Sequence, residues 1–270
     1  MDYNHFKVDI ADKIAKVAFN RPEKANALHM EAWLEMQSIF EALSSNDNVR
    51  VVMLSGEGKH FCSGIDLELL ISVNSFQKIS DTAKRSEKIR AFILTLQNTI
   101  SAIEKCSKPV LAAVHGGCIG GAVDIVSACD MRYSTNDAYF SIKEIDLGMV
   151  ADIGTLQRLP KIISPAIVSE MAYTGRKVAG TEAQSIGLVN RSFESKEALL
   201  EGADQIARTI ASKSPLSIRG TKEVIRYTRD HSVDDSLNYM ATWNAAMLLS
   251  DDLTEAFKAT MEKRAPKFED

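Results

Sequence analysis

Asp124, Glu144 and Asp152 each interrupt a stretch that is otherwise apolar, glycine-rich or tightly turned. Asp124 follows the cluster His115-Gly116-Gly117-Cys118-Ile119-Gly120-Gly121 at the start of an apolar helical pattern. Glu144 follows Ala138-Tyr139-Phe140-Ser141-Ile142, and Asp152 lies within Gly148-Met149-Val150-Ala151-Asp152-Ile153-Gly154. A carboxylate is seldom buried without a partner or a task, because leaving water disfavours its charge. Several in one apolar, glycine-rich region suggest a site that moves protons with shifted carboxyl pKa values. Taken singly, each is as readily a helix cap or a surface charge.

Two backbone stretches could complete such a site. Phe61-Cys62-Ser63-Gly64-Ile65-Asp66-Leu67 follows a strand and turn and leads towards a helix, and Gly116-Gly117-Cys118-Ile119-Gly120-Gly121-Ala122 follows another strand and opens a helix. Glycine lets a backbone approach a ligand closely, and helix N-termini present free N–H groups to negative charge. Two such turns can aim two donors at one oxygen, an oxyanion hole in which each donor contributes roughly 2.7–4 kcal/mol. Either turn alone reads as a tight strand-to-helix connection. The glycines fit neither the dinucleotide fingerprint nor the P-loop, and no H-E-x-x-H or His/Cys cluster suggests a metal.

The elements that must position these groups follow from periodicity. Phe6 to Asp9 and Ile14 to Phe19 alternate around Ala11-Asp12-Lys13, a hairpin, and residues 20–27 form a polar loop. Helical spacing runs from His29 to about Leu43. Val51 to Ser55 and Pro109 to Val114 read as buried strands, and Gly121 to Cys129 as a helix. Ser75 to Glu104 predicts one long amphipathic helix, and 131–134 and 139–142 are short strands. After Gly154 the pattern is helical, broken at Pro160, Pro165, Gly175, Gly187 and Pro215, with one last strand within 188–193. Strands alternating with helices before a helical tail predict an α/β architecture. The one candidate boundary divides a core of residues 1–195 from a C-terminal helical region, 196–270.

The 270 residues suffice for one large domain or for a core with an appendage. A net charge of -4 gives no support to nucleic-acid binding through a basic field. Cys62, Cys106, Cys118 and Cys129 match neither a zinc ribbon nor a redox pair, so buried, reduced thiols are expected. There is no signal-peptide pattern and no apolar run long enough to span a bilayer, and Pro266-Lys267-Phe268-Glu269-Asp270 is not a peroxisomal address. A cytoplasmic location is the resulting expectation.

The two turns and the carboxylates, at these spacings, resemble the crotonase family, the enoyl-CoA hydratase/isomerase superfamily. The resemblance runs through Asn20-Arg21-Pro22-Glu23-Lys24-Ala25-Asn26-Ala27, 61–67, Lys108 to Gly116, Ala128-Cys129-Asp130-Met131-Arg132, Gly154 to Pro160 and Gly187-Leu188-Val189-Asn190. It implies a spiral of ββα units with a C-terminal helical trimerisation region, in a homotrimer or a dimer of trimers. It also implies an acyl-CoA thioester as substrate, with CoA part of that substrate and no separate cofactor. By the same resemblance the oxyanion donors are the backbone N–H groups of Ile65 and Gly121, while Lys24 and Lys263 match positions near the CoA phosphates.

The carboxylates separate the reactions within the family. The hydratases have glutamates matching positions 124 and 144 and a glycine where this chain has Asp152. The runs Gly120 to Asp130, Lys143 to Gly148 and Ala151 to Pro160 are similar instead to the dienoyl-CoA isomerase branch. That likeness implies transfer of a double-bond pair from positions 3 and 5 to positions 2 and 4, in fatty-acid β-oxidation. Glu144 would act at C2 and Asp152 near C6, or the reverse, with Asp124 tuning them. Hydration is the alternative reading, and RNA binding by the same fold a remote one that the acidic balance disfavours. Asp66 is expected to cap a helix, Asp130 and Asp146 to be structural, and His115 has no assigned role.

Overall fold

The computed structural model describes residues 3–270. Strands β1 (Phe6–Ala11) and β2 (Ile14–Phe19) form the expected hairpin, in which Ala11 pairs with Ile14. The two turn residues, Asp12 and Lys13, both have positive φ, as a tight hairpin between twisted strands requires. Strands β3 (Val51–Gly56), β4 (Val110–Val114), β6 (Met131–Thr135) and β9 (Arg191–Phe193) add in parallel, giving a six-stranded sheet in the order β1-β2-β3-β4-β6-β9. A smaller sheet joins β5 (Gly117–Ile119), β7 (Tyr139–Ser141) and β8 (Val178–Ala179) in the order β5-β7-β8.

The central strands are apolar throughout because both faces of the large sheet are covered. Val52, Leu54, Val110, Ala112 and Val114 point into one cluster. That cluster also takes Trp33, Met36, Ile39 and Phe40 of α1 (Met30–Ser44) and Leu96, Ile100 and Ile103 of α3 (Thr82–Lys105). The alternate residues Val51, Met53, Leu111 and Ala113 face a second cluster against α8 (Lys196–Ala211). Helix α8 meets the sheet through Leu199, Ala203, Ala207 and Ala211, one residue per turn and mostly small, so the helix packs close. The boundary expected at 195/196 therefore falls ahead of a helix that belongs to the sheet's own packing. Beyond it, α9 (Pro215–Thr228), α10 (Val233–Met247) and α11 (Asp251–Met261) also carry exposed large apolar residues, among them Ile225, Leu237 and Phe257.

Three expectations need correction. The long helix starts at Thr82 rather than Ser75: Asp81 accepts a hydrogen bond from the Lys84 N–H, and this cap sets the start. The segment before it holds a short helix, α2 (Leu67–Ser72), and a 3₁₀ turn at Val73–Lys78. Gly117–Ile119 is extended, not merely a turn, since Cys118 lies between Cys62 and Phe140 in strand pairing. The region after Gly154 holds an unexpected strand, β8, between α6 (Pro165–Thr174) and α7 (Gly180–Ser185), whereas β9 occupies the place of the last strand expected within 188–193. No helix among the described residues is long and apolar enough to cross a membrane.

Candidate active site

The site lies beyond the carboxyl ends of β3 and β4, where parallel sheets expose backbone groups. The first loop, residues 62–66, is held from both sides. Cys62 donates its N–H to Gly117, Ile119 donates back to Cys62, and Leu28 and Asp66 close a bridge around Ile65. That bridge uses the Gly64 carbonyl and the Asp66 N–H, so the Ile65 N–H points to the opposite side. Asn26, a buried residue with positive φ, anchors the loop's approach. Its side-chain amide donates to the carbonyls of Glu57, His60 and Phe61 at 2.9–3.0 Å.

The second loop enters α4 (Gly121–Ala128) through Gly120, whose φ of 54° and ψ of -124° suit glycine alone. The two loops abut at Gly64. A Cβ on Gly64 would lie 2.5 Å from the Ile119 oxygen and 2.7 Å from the Gly121 nitrogen. Gly121 is the first residue of α4, so its N–H is free of intrahelical bonds. Among the described residues, neither the Ile65 N–H nor the Gly121 N–H has an acceptor. The structure thus brings together the two donors singled out in the sequence. Trp33, from α1, packs its ring against Gly121 and fixes the helix start from beneath.

The three acids converge on the same place. Asp124, in the first turn of α4, is fully buried and accepts the Thr155 N–H at 2.5 Å through Oδ1. Its Oδ2 has no hydrogen-bond partner. Glu144 follows β7, and its carboxyl faces Gly120, where an added Cβ would lie 3.3 Å from Oε1; Oε2 is buried and unpartnered. Asp152 lies two residues before Gly154, which precedes the short helix α5 (Thr155–Arg158). In the single chain Asp152 is exposed, at the mouth of the site.

Burial raises all three carboxyls, and the charges of neighbouring acids add to the rise in Asp124 and Glu144. Desolvation, then the charge of Glu144, pushes Asp124 up to about 7, although the Thr155 hydrogen bond opposes the rise. Desolvation and, more weakly, Asp152 raise Glu144. Crowding by neighbouring atoms raises Asp152 despite its exposure. Asp124 therefore holds a proton close to neutrality, and the other two acids are shifted in the same direction, as proton-transfer chemistry favours.

The rise in Asp124 has a consequence for stability. Folding favours the protonated acid, so this contribution is fully present below the unfolded value of 3.8 and is lost as pH rises through about 7. The change corresponds to roughly 4 kcal/mol. Asp124→Asn keeps an acceptor for Thr155 and cannot ionise. The stability of Asp124→Asn relative to the parent is expected to grow by roughly 3–4 kcal/mol between pH 4 and pH 8 in urea titrations. A difference that does not change with pH would contradict a buried, raised Asp124.

Other residues fall outside the chemistry. Asp66 caps α2 through the Glu68 N–H at 3.0 Å and pairs with Arg21 at 2.6 Å, as its expected capping role requires. That backbone hydrogen bond, with Arg21, holds its carboxyl low. Asp130 pairs with Lys222 at 2.7 Å, Asp146 pairs with Lys143, and His115 meets the Gly58 carbonyl at 2.9 Å. The four cysteines are free and buried, and burial pushes Cys62 up to about 12. Lys24 is exposed at the rim, where its charge reaches Asp66. Lys263 is exposed just beyond α11, and no contact among the described residues joins it to Lys24 or the loops. Asn26, Trp33 and Thr155 escaped the sequence reading. Asn26 alone carried a signal there, as a polar residue inside a loop flanked by apolar elements.

Two backbone donors beside three raised carboxyls, on a spiralled α/β core, describe an enzyme of the crotonase superfamily. The chain belongs to the enoyl-CoA hydratase/isomerase family, whose sequence profile matches residues 9–270. It is similar to the peroxisomal Δ(3,5)-Δ(2,4)-dienoyl-CoA isomerase of Arabidopsis thaliana, at 50% identity over 92% of this chain and 90% of that protein. Its identity to the mitochondrial Δ(3,5)-Δ(2,4)-dienoyl-CoA isomerase of Mus musculus is 47%, over 98% of this chain and 82% of that one. The crystal structure of an enoyl-CoA hydratase from Bacillus anthracis superposes with a TM-score of 0.89 at 29% identity, covering 98% and 99% of the two chains.

Proposed function

We propose that this protein isomerises 3,5-dienoyl-CoA to 2,4-dienoyl-CoA. The observation that carries this reading is the third acid: Asp152 joins Asp124 and Glu144 in one electrostatically coupled cluster beside the paired donors. Removing a proton at C2 and adding one at C6 needs two proton-active groups along an extended chain. Hydration at C2 and C3 needs no third acid. The similarity to two dienoyl-CoA isomerases supports the same reading.

In this mechanism the thioester oxygen accepts hydrogen bonds from the N–H groups of Ile65 and Gly121. As negative charge grows on that oxygen, both donors stabilise it without reorganising. Glu144 takes the C2 proton, and the electron pair of the C2–H bond passes into an enolate conjugated through C6. Asp152, protonated, delivers its proton at C6, so the double bonds at C3 and C5 become double bonds at C2 and C4. Asp124 keeps a second negative charge out of the pocket while it holds a proton. It also fixes the Asp152 segment through Thr155. One cycle leaves Glu144 protonated and Asp152 ionised, and proton exchange with solvent restores both.

The same reading carries self-association of the chain as a trimer or a dimer of trimers. Ile225, Val233, Leu237, Leu249, Phe257 and Met261, exposed in the C-terminal region, support it. A single-chain mass by light scattering would remove that part alone. The catalytic reading is tested by mixing the purified protein with a 3,5-dienoyl-CoA and following the ultraviolet absorbance of the conjugated 2,4-dienoyl thioester. Rapid growth of the band is expected. Hydration of a 2-enoyl-CoA with no dienoyl signal would return the assignment to a hydratase.

A further inference from the structure

The backbone from Asp152 to Arg158 is held at three points, and the one at Asp152 itself comes from a neutral amide. Gln97, Ser101 and Glu104 stand at i, i+4 and i+7 on α3, a single stripe of one helix face. The Gln97 amide donates to the Asp152 carbonyl at 2.7 Å. Ser101 Oγ lies 3.4 Å from Arg158 Nη2. Glu104 accepts from Arg158 Nη2 at 3.0 Å and from Nε at 3.3 Å. The Arg158 guanidinium also lies against Gly154, where a Cβ would come within 1.8 Å of Nη1. Arg229 of the segment after α9 holds the other Glu104 oxygen at 2.5 Å.

These contacts line a cleft of about 520 Å³ on this side of the 152–158 segment. An anion site is not the explanation. Arg158 and Arg229 are committed to Glu104, Lys161 to Asp230, and Arg226 to Glu223. What the stripe does hold is backbone. The Asp152 carboxyl is held only by a hydrogen bond from its own backbone, so its direction follows from the peptide that carries it. That peptide is pinned at Asp152 by Gln97, at Thr155 by Asp124 and at Arg158 by Glu104.

We infer that Gln97 is a positioning residue for Asp152, with the Arg158–Glu104 pair as the second anchor of the same loop. The inference rests on the role given to Asp152 above. Misplacing a reacting group by about 1 Å can cost on the order of 10²-fold in rate. Gln97→Glu preserves shape and turns the donor into an acceptor facing a carbonyl, whereas Gln97→Met removes the polar group. Both are expected to lower kcat for 3,5-dienoyl-CoA about 10- to 100-fold and to leave KM within about threefold. Amide exchange over residues 151–155 should quicken. Gln97→Lys, which can still donate, should recover most of the lost kcat.

The experiment measures these variants beside the parent and Asp152→Asn, with thermal melts of each. Near-parental kcat in both Gln97→Glu and Gln97→Met, with Asp152→Asn inactive, would overturn the positioning role and leave the function intact. A loss of kcat that only tracks loss of folded protein, or that Gln97→Lys does not relieve, would overturn it equally. Parental turnover in Asp152→Asn, or none in the parent, would overturn both the role and the function beneath it.

Discussion

Asp152→Asn is expected to lower isomerisation of a 3,5-dienoyl-CoA by about 10²–10⁴-fold, the usual worth of a positioned general acid or base. The substitution keeps the side chain's size, and the Asp152 carboxyl accepts only from its own backbone, a bond the asparagine carbonyl can keep. Folding and CoA-ester binding should therefore be preserved, with KM little changed. The diagnostic result lies at C2. If Glu144 works there, Asp152→Asn will still wash deuterium from heavy water into C2, because the conjugated enolate forms and returns. Glu144→Gln should lose both the exchange and the isomerisation. The opposite pattern, exchange surviving in Glu144→Gln and lost in Asp152→Asn, would exchange the two roles. Full turnover in Asp152→Asn would take this acid out of the mechanism.

Gly64→Ala should be equally damaging for a different reason. Gly64 has a φ of 81°, a region that costs an alanine roughly 1–2 kcal/mol. Its new methyl would also sit 2.5 Å from the Ile119 oxygen and 2.7 Å from the Gly121 nitrogen, both backbone atoms of the facing loop. Neither can yield without parting the two oxyanion loops. The Ile65 and Gly121 donors would no longer converge on one oxygen, and loss of a single such donor costs about 10²–10³ in kcat. Unlike Asp152→Asn, this change should abolish the deuterium exchange at C2 as well, because the enolate itself loses its support. A lower melting temperature should accompany it. Turnover within about threefold of the parent, at a scale where one donor is worth 10²-fold or more, would show that the donors lie elsewhere.

Legibility differed between the elements and the site. The hairpin, the buried strands β3 and β4, and the face of α1 follow from short-range periodicity, which reports burial wherever a strand or helix is already regular. Residues 75–81 have apolar residues spaced as in the long helix expected from Ser75, but Asp81 caps a new helix after them. β8, only two residues long, has no periodicity to detect. Its place is set by Tyr139 and Phe140 across the small sheet.

What this sequence determined by itself is the inventory of the site: the glycines at 64, 120 and 121, and carboxyls at 124, 144 and 152. Residue type and local spacing suffice there, because a positive φ or a free helix N–H depends on only a few neighbouring residues. Tertiary structure alone decided which groups meet. Asp124 reaches Thr155 across 31 residues, Gln97 reaches Asp152 across 55, and Gly64 lies against Gly121 only because β3 and β4 are neighbours in the sheet. The pKa shift follows the same logic: the deepest acid, Asp124, is raised by burial that comes from packing and by charges brought near through folding.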